Sequence, residues 1–81
     1  MTHIATLYSH YGAIHFKKIC HGQGIPAKIM PVPRNLSSSC GSCVVYQGEN
    51  PFPIAPLPQE VEQIVQVTED GYISRYLAEN S

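Results

Sequence analysis

The sequence is short of charge. Only 14% of its 81 residues are charged, five Lys or Arg against six Asp or Glu, for a net charge of −1. So few cations provide no basic patch to attract nucleic acid or an anionic membrane surface. A surface thin in charge suits instead a protein partner or a homodimer. Long hydrophobic runs are also missing. No stretch approaches the roughly 18 apolar residues of a membrane span. Met1-Thr2-His3-Ile4 lacks the basic region and long apolar run of a signal peptide, so a cytoplasmic location is expected. Cysteine is scarce and odd in number, at three. In a reducing compartment such residues are more often reactive or metal-binding than structural disulfides. Phosphate loops, nucleophile–His–acid triads and paired carboxylates have no counterpart here, so no complete catalytic apparatus is visible and no cofactor is expected.

What is present is enough for a small fold. With 43% hydrophobic residues the chain should fold as one domain over residues 1–81, with a modest core and marginal stability. Ile4 to Tyr8 is a short apolar run that reads as a buried strand. Ser9 is placed to cap a helix in which Ala13, Phe16 and Cys20 form one stripe, with Lys17, Lys18 and His21 late and Gly22 and Gly24 as its stop. Gly12 weakens the first turn. Ala27 to Val32 reads as a second strand, confined to an edge or frayed by Pro26, Pro31 and Pro33. Ser42 to Gln47 reads as a third.

Residues 51–58 hold four prolines and read as a stiff connection packed on the domain. Pro58 should open a second helix, with Glu60 and Glu62 near its start and Val61, Ile64 and Val65 as its stripe. Its β-branched content makes it a weak intrinsic helix that packing must hold. After a turn at Glu69-Asp70-Gly71, residues 72–77 alternate as a last strand, and 78–81 form a tail. The expected architecture is α+β and ferredoxin-like, βαββαβ: a four-stranded antiparallel sheet with two helices on one face and the other face open for a partner.

Between the second and third strands lies Pro33-Arg34-Asn35-Leu36-Ser37-Ser38-Ser39-Cys40-Gly41-Ser42-Cys43. No helix or core strand favours that composition, so it reads as an exposed loop presenting a thiol. Backbone N–H groups and serine hydroxyls can surround the Cys40 sulfur. With Arg34 as the nearest cation in sequence, they would favour thiolate over thiol. Gly41 lets the backbone approach whatever the sulfur carries. Cys43 completes a Cys-x-x-Cys pair, a spacing shared by redox dithiols and zinc half-sites. A second such pair is absent, so a mononuclear zinc site within the chain is weak, although Cys20-His21, His10 or His15 remain possible ligands. Cys43 reads equally well as a resolving thiol or as a buried strand residue. Cys20 reads as core. His10 would face the loop if the first and third strands are neighbours.

The run Pro33-Arg34 followed by Ser37-Ser38-Ser39-Cys40-Gly41, after the Ile29-Met30-Pro31-Val32 strand, resembles the small bacterial family of selenium/sulfur carrier-like proteins. Tyr8-Ser9 with Ala13-Ile14, and Gly24-Ile25 before the second strand, match the opening of that family. The resemblance implies that Cys40 is the carrier thiol and that Pro33, Arg34, Ser37, Ser38 and Gly41, with Ser39 between them, form its supporting loop. A sulfur or selenium donor and an acceptor protein would be the partners. The chain departs from the family at Ser9-His10-Tyr11, around Lys17 and at Cys43. The alternatives are a redox or metal module built on Cys40 and Cys43, or an interaction domain in which the serine–cysteine loop is only a turn.

Overall fold

The computed structural model describes residues 1–78; the expected tail beyond Ala78 lies outside the described residues. The elements run β1 (Thr2–Leu7), α1 (His10–Gly22), β2 (Ala27–Pro31), β3 (Ser42–Gln47), β4 (Val61–Thr68) and β5 (Gly71–Leu77). They form one five-stranded sheet in the order β2-β3-β1-β4-β5, with every neighbouring pair antiparallel. No helix among the described residues is long and apolar enough to cross a membrane.

The ferredoxin-like βαββαβ arrangement, with four strands and two helices, is therefore corrected to one helix and five strands. The difference lies in the segment expected to be the second helix. Val61, Ile64 and Val65 do have helical three-and-four spacing, but they share no single face: a β-bulge brings Val61 and Ile64 together, and Val65 lies opposite. Opposite β1, Thr6 pairs with Gln63 and Leu7 with Val61, leaving Glu62 as the extra residue. The bulge allows Val61 and Ile64, three apart, to enter the same core cluster, whereas Val65 points into the cluster on the other face. Val61, Ile64, Val65, Val67 and Thr68 are β-branched and stiff at χ1. With β1 on one side and β5 on the other, pairing overrides the helical spacing. Glu69-Asp70 then closes a two-residue hairpin, in which Thr68 pairs with Gly71.

The single helix forms where the sequence places it. Ser9 is extended (φ −148°, ψ 159°), and its Oγ accepts the Gly12 N–H at 3.0 Å, satisfying one of the free donors of the first turn. Gly12, Ala13, Phe16 and Cys20 face inward. Gly12 is more than a weak first-turn residue. A Cβ there would lie 2.8 Å from Glu60 Cβ, so glycine permits the close approach of α1 to the chain entering β4. Above the helix-side core, residues 51–58 form bends. Pro53 is buried, Leu57 packs on the core, and Tyr46 Oη donates to Pro51 O at 2.5 Å.

Alternation along the strands divides the interior into two faces. Ala5, Leu7, Val44, Tyr46 and Ile64 face the helix and pack with Phe16 and Cys20. Ile4, Cys43 and Val65 face the other way, where half-buried Val32, Leu36, Val45 and Tyr72 join them. That second face was expected to be open. Instead, the β2–β3 loop contributes Val32 and Leu36 to its covering.

Candidate functional site

Cys40 lies at one end of the sheet, where β1 leaves and β3 and β4 enter. Residues 32–41 arrive there after the last pairing of β2 with β3, Pro31 opposite Ser42. Leu36 N–H donates to Pro33 O at 3.0 Å, closing a tight turn, and Val32 N–H donates to Gly41 O at 3.0 Å, closing the base of the loop. Gly41 has φ +77°, a left-handed conformation that glycine adopts without steric penalty. It turns the chain from Cys40 into β3.

The serines fasten this loop. Ser38 Oγ accepts the Cys40 N–H at 3.4 Å and donates to Leu7 O at 3.4 Å. Ser39 Oγ donates to Glu62 Oε2 at 2.6 Å, and Ser39 N–H donates to Glu62 Oε1 at 3.2 Å. Buried Thr6 donates to the same Oε1 at 3.2 Å. Gln63 Nε2 donates to Ser37 O at 2.9 Å. The hydroxyls of Ser38 and Ser39, expected around the sulfur, are thus directed to β1 and to the β4 bulge. The Cys40 thiol donates to Ser42 O at 3.5 Å. Arg34 is exposed and has no ion pair or hydrogen bond among the described residues. Pro33 is half-buried at the start of the turn.

The two cysteines of the Cys-x-x-Cys pair occupy different environments. Cys40 is half-buried in the loop, whereas Cys43 is fully buried beneath it, paired with Thr6 in β1 and Met30 in β2. Cys43 Sγ donates to Pro31 O at 3.8 Å. Burial pushes the Cys43 thiol above its ordinary range, and the charge of Cys40 adds to the shift. Cys20 is in the helix-side core, across the sheet from Cys43, and burial pushes it up to about 11. The structure does not bring these two together, and no group of three or more His, Cys, Asp or Glu among the described residues is placed to hold a metal ion.

β1 and β3 are neighbours, and His10 does reach the site. As the first residue of α1 it places Nδ1 3.3 Å from Ser42 Oγ. His15 turns away, 3.1 Å from Glu60. The residues that sequence reasoning missed are Glu62, Gln63 and Thr6, all brought to the loop by strand pairing. Glu62 was read as an acid at the start of a helix. The β-branched composition of residues 61–68 was the available signal.

No curated protein and no solved structure matches the chain. A family model described as "Putative Se/S carrier protein-like" does match, over residues 2–55. The matched segment spans β1, α1, β2, the cysteine loop and β3 and ends before the β4 bulge. With more than half of its length matched and a fastened loop thiol within that part, the chain belongs to the Se/S carrier protein-like family.

Proposed function

We propose that the chain holds sulfane sulfur or selenium on Cys40 and relays it from a donor protein to an acceptor protein. The observation that carries this reading is the contrast among the three thiols. Cys20 and Cys43 are buried; Cys40 alone is partly exposed, on a loop tied to β1 and β4. Family membership supports the same chemistry. The Cys40 thiolate attacks the outer sulfur of a donor persulfide. A new S–S bond forms at Cys40 as the donor's S–S bond breaks, and the donor leaves as a thiolate. No net oxidation or reduction occurs. An acceptor thiolate attacking the outer sulfur reverses the steps and restores Cys40. Selenium in the outer position follows the same balance. Ser37, Ser38, Ser39, Pro33 and Gly41 shape the loop, and the guanidinium of Arg34 is available to a docking donor.

Glutathione persulfide is a suitable probe. Wild type should gain the mass of one sulfur atom, Cys43→Ala should gain the same, and Cys40→Ser should not. Uptake by Cys40→Ser at the wild-type level contradicts the carrier role. The dithiol alternative rests on the Cys-x-x-Cys spacing, but the buried, proton-retaining Cys43 thiol is a poor attacking group in the folded state.

A further inference from the structure

A persulfide two residues from a second cysteine has a built-in route to destruction. The Cys43 thiolate can attack the inner sulfur, Cys40 Sγ. A Cys40–Cys43 disulfide then forms, the bond from Cys40 to the carried sulfur breaks, and hydrosulfide leaves with its electron pair. The sequence therefore holds both a carrier thiol and the group that would discharge it, and the carrier must keep them from reacting. In the structure the two thiols are directed at different backbone carbonyls. Cys43 points into the cluster beneath the loop and donates to Pro31 O, while Cys40 donates to Ser42 O. Between the loop and the sheet stands one carboxylate. Glu62 accepts from Ser39 N–H, Ser39 Oγ and Thr6 Oγ1, so it joins the residue before Cys40 to the buried strand β1. It reaches there because it is the extra residue of the β4 bulge.

We infer that Glu62 is a positioning residue that holds the Cys40 loop in the arrangement where its adduct survives, out of reach of Cys43. This inference rests on the carrier reading of Cys40. Glu62 touches neither sulfur; it acts through Ser39. Without its carboxylate the Ser39 N–H and Oγ lose their partner, the segment carrying Cys40 is freed at one end, and the adduct becomes accessible to Cys43.

The test is the lifetime of the loaded adduct. Full-length wild type, Glu62→Ala, Ser39→Ala and the double variant Glu62→Ala/Cys43→Ala are loaded with glutathione persulfide and desalted. Hydrosulfide release and intact mass are then followed with time. Glu62→Ala should lose its adduct roughly tenfold faster than wild type, since displacements of about 1 Å change rates by up to about a hundredfold. The loss should appear as hydrosulfide together with an internal disulfide. Adding Cys43→Ala should restore the long lifetime, because the loss runs through Cys43, and an unchanged urea midpoint for Glu62→Ala separates release of the loop from a general loss of structure, which would also free Cys43. Ser39→Ala removes the hydroxyl arm of the contact from an exposed loop position without altering the strand, and should shorten the lifetime in the same direction. Equal lifetimes for wild type, Glu62→Ala and Ser39→Ala overturn the inference, as does a shortened lifetime that Cys43→Ala fails to restore. A wild type that takes up no sulfur overturns the carrier reading itself, and is distinguished from these by the loading step.

Discussion

The two faces of the sheet are built differently. The helix side buries nine residues in one apolar cluster, with Phe16 and Tyr46 at its centre in edge-to-face contact. Among the described residues the loop side buries three apolar residues, Ile4, Cys43 and Val65, beside the buried Thr6, and is otherwise closed by half-buried residues and hydrogen bonds to the loop. Apolar area sets the stability of the first face. Individual hydrogen bonds, each contributing about 0.5–1.5 kcal/mol net, fasten the second. A loop held this way can open locally while the helix, sheet and larger core stay intact. The half-buried Cys40 is on the loop that can open, whereas Cys43 beneath it and Cys20 across the sheet are buried.

If the two faces differ in this way, perturbing them should have unequal effects. The largest effect is expected from Phe16→Ala, which should cost about 3–5 kcal/mol of global stability in urea unfolding. Next comes alkaline pH. Cys20 keeps its proton in the folded state up to about 11, against 9.0 for an ordinary thiol. Below pH 9 both folded and unfolded states are protonated, and nothing is lost. Between 9 and 11 the unfolded chain ionises first, so stability falls as pH rises, by at most about 3 kcal/mol. Cys43 and Tyr46, both raised by burial, act in the same direction. Cys20→Ala should flatten this alkaline decline in urea midpoints, and an unchanged slope would rule out Cys20 as a contributor. Leu36→Ala, on the loop side, should cost only about 1 kcal/mol globally, yet it should raise the iodoacetamide alkylation rate of Cys40. Losses as large as those of Phe16→Ala would show that the two faces are one cooperative unit.

The smallest effect concerns His3, which is buried on the helix side and stacked on Tyr46 at 5.4 Å, with both ring nitrogens lacking a partner. Burial, then the N-terminal charge and Arg75, lower its pKa from 6.5. Above 6.5 both states hold it neutral, and its contribution is complete. As pH falls below that, the unfolded chain takes up the proton first and stability declines. His3→Phe should remove part of the acid decline; an equally steep decline would place the cause elsewhere.

Much of the fold was legible because its signals are local. The Ser9 cap, the Ala13–Phe16–Cys20 stripe, the strands flanking the cysteine loop and the Glu69-Asp70 turn each depend on residues a few positions apart. The fourth strand was not. Its bulge put Val61 and Ile64 on one face at helical spacing, which masked the β-branched composition of residues 61–68, and pairing with β1 and β5 makes the segment a strand. The site divides the same way. The loop, Cys40 and Gly41 are contiguous and stand out by composition. The role of Glu62 depends on contacts with residues 23 and 56 positions away, which no sequence window contains. The serines were recognised as loop formers, but the targets of their hydroxyls are set by the sheet.

Residence of the carried atom on Cys40 can be read by loading wild type with glutathione persulfide, alkylating under non-reducing conditions and locating the extra sulfur by peptide mass spectrometry. The expected result is an adduct on the peptide containing Cys40, placed on that residue by fragmentation, with Cys20 and Cys43 unmodified. An adduct on Cys43, or one spread equally over the three cysteines, would contradict it.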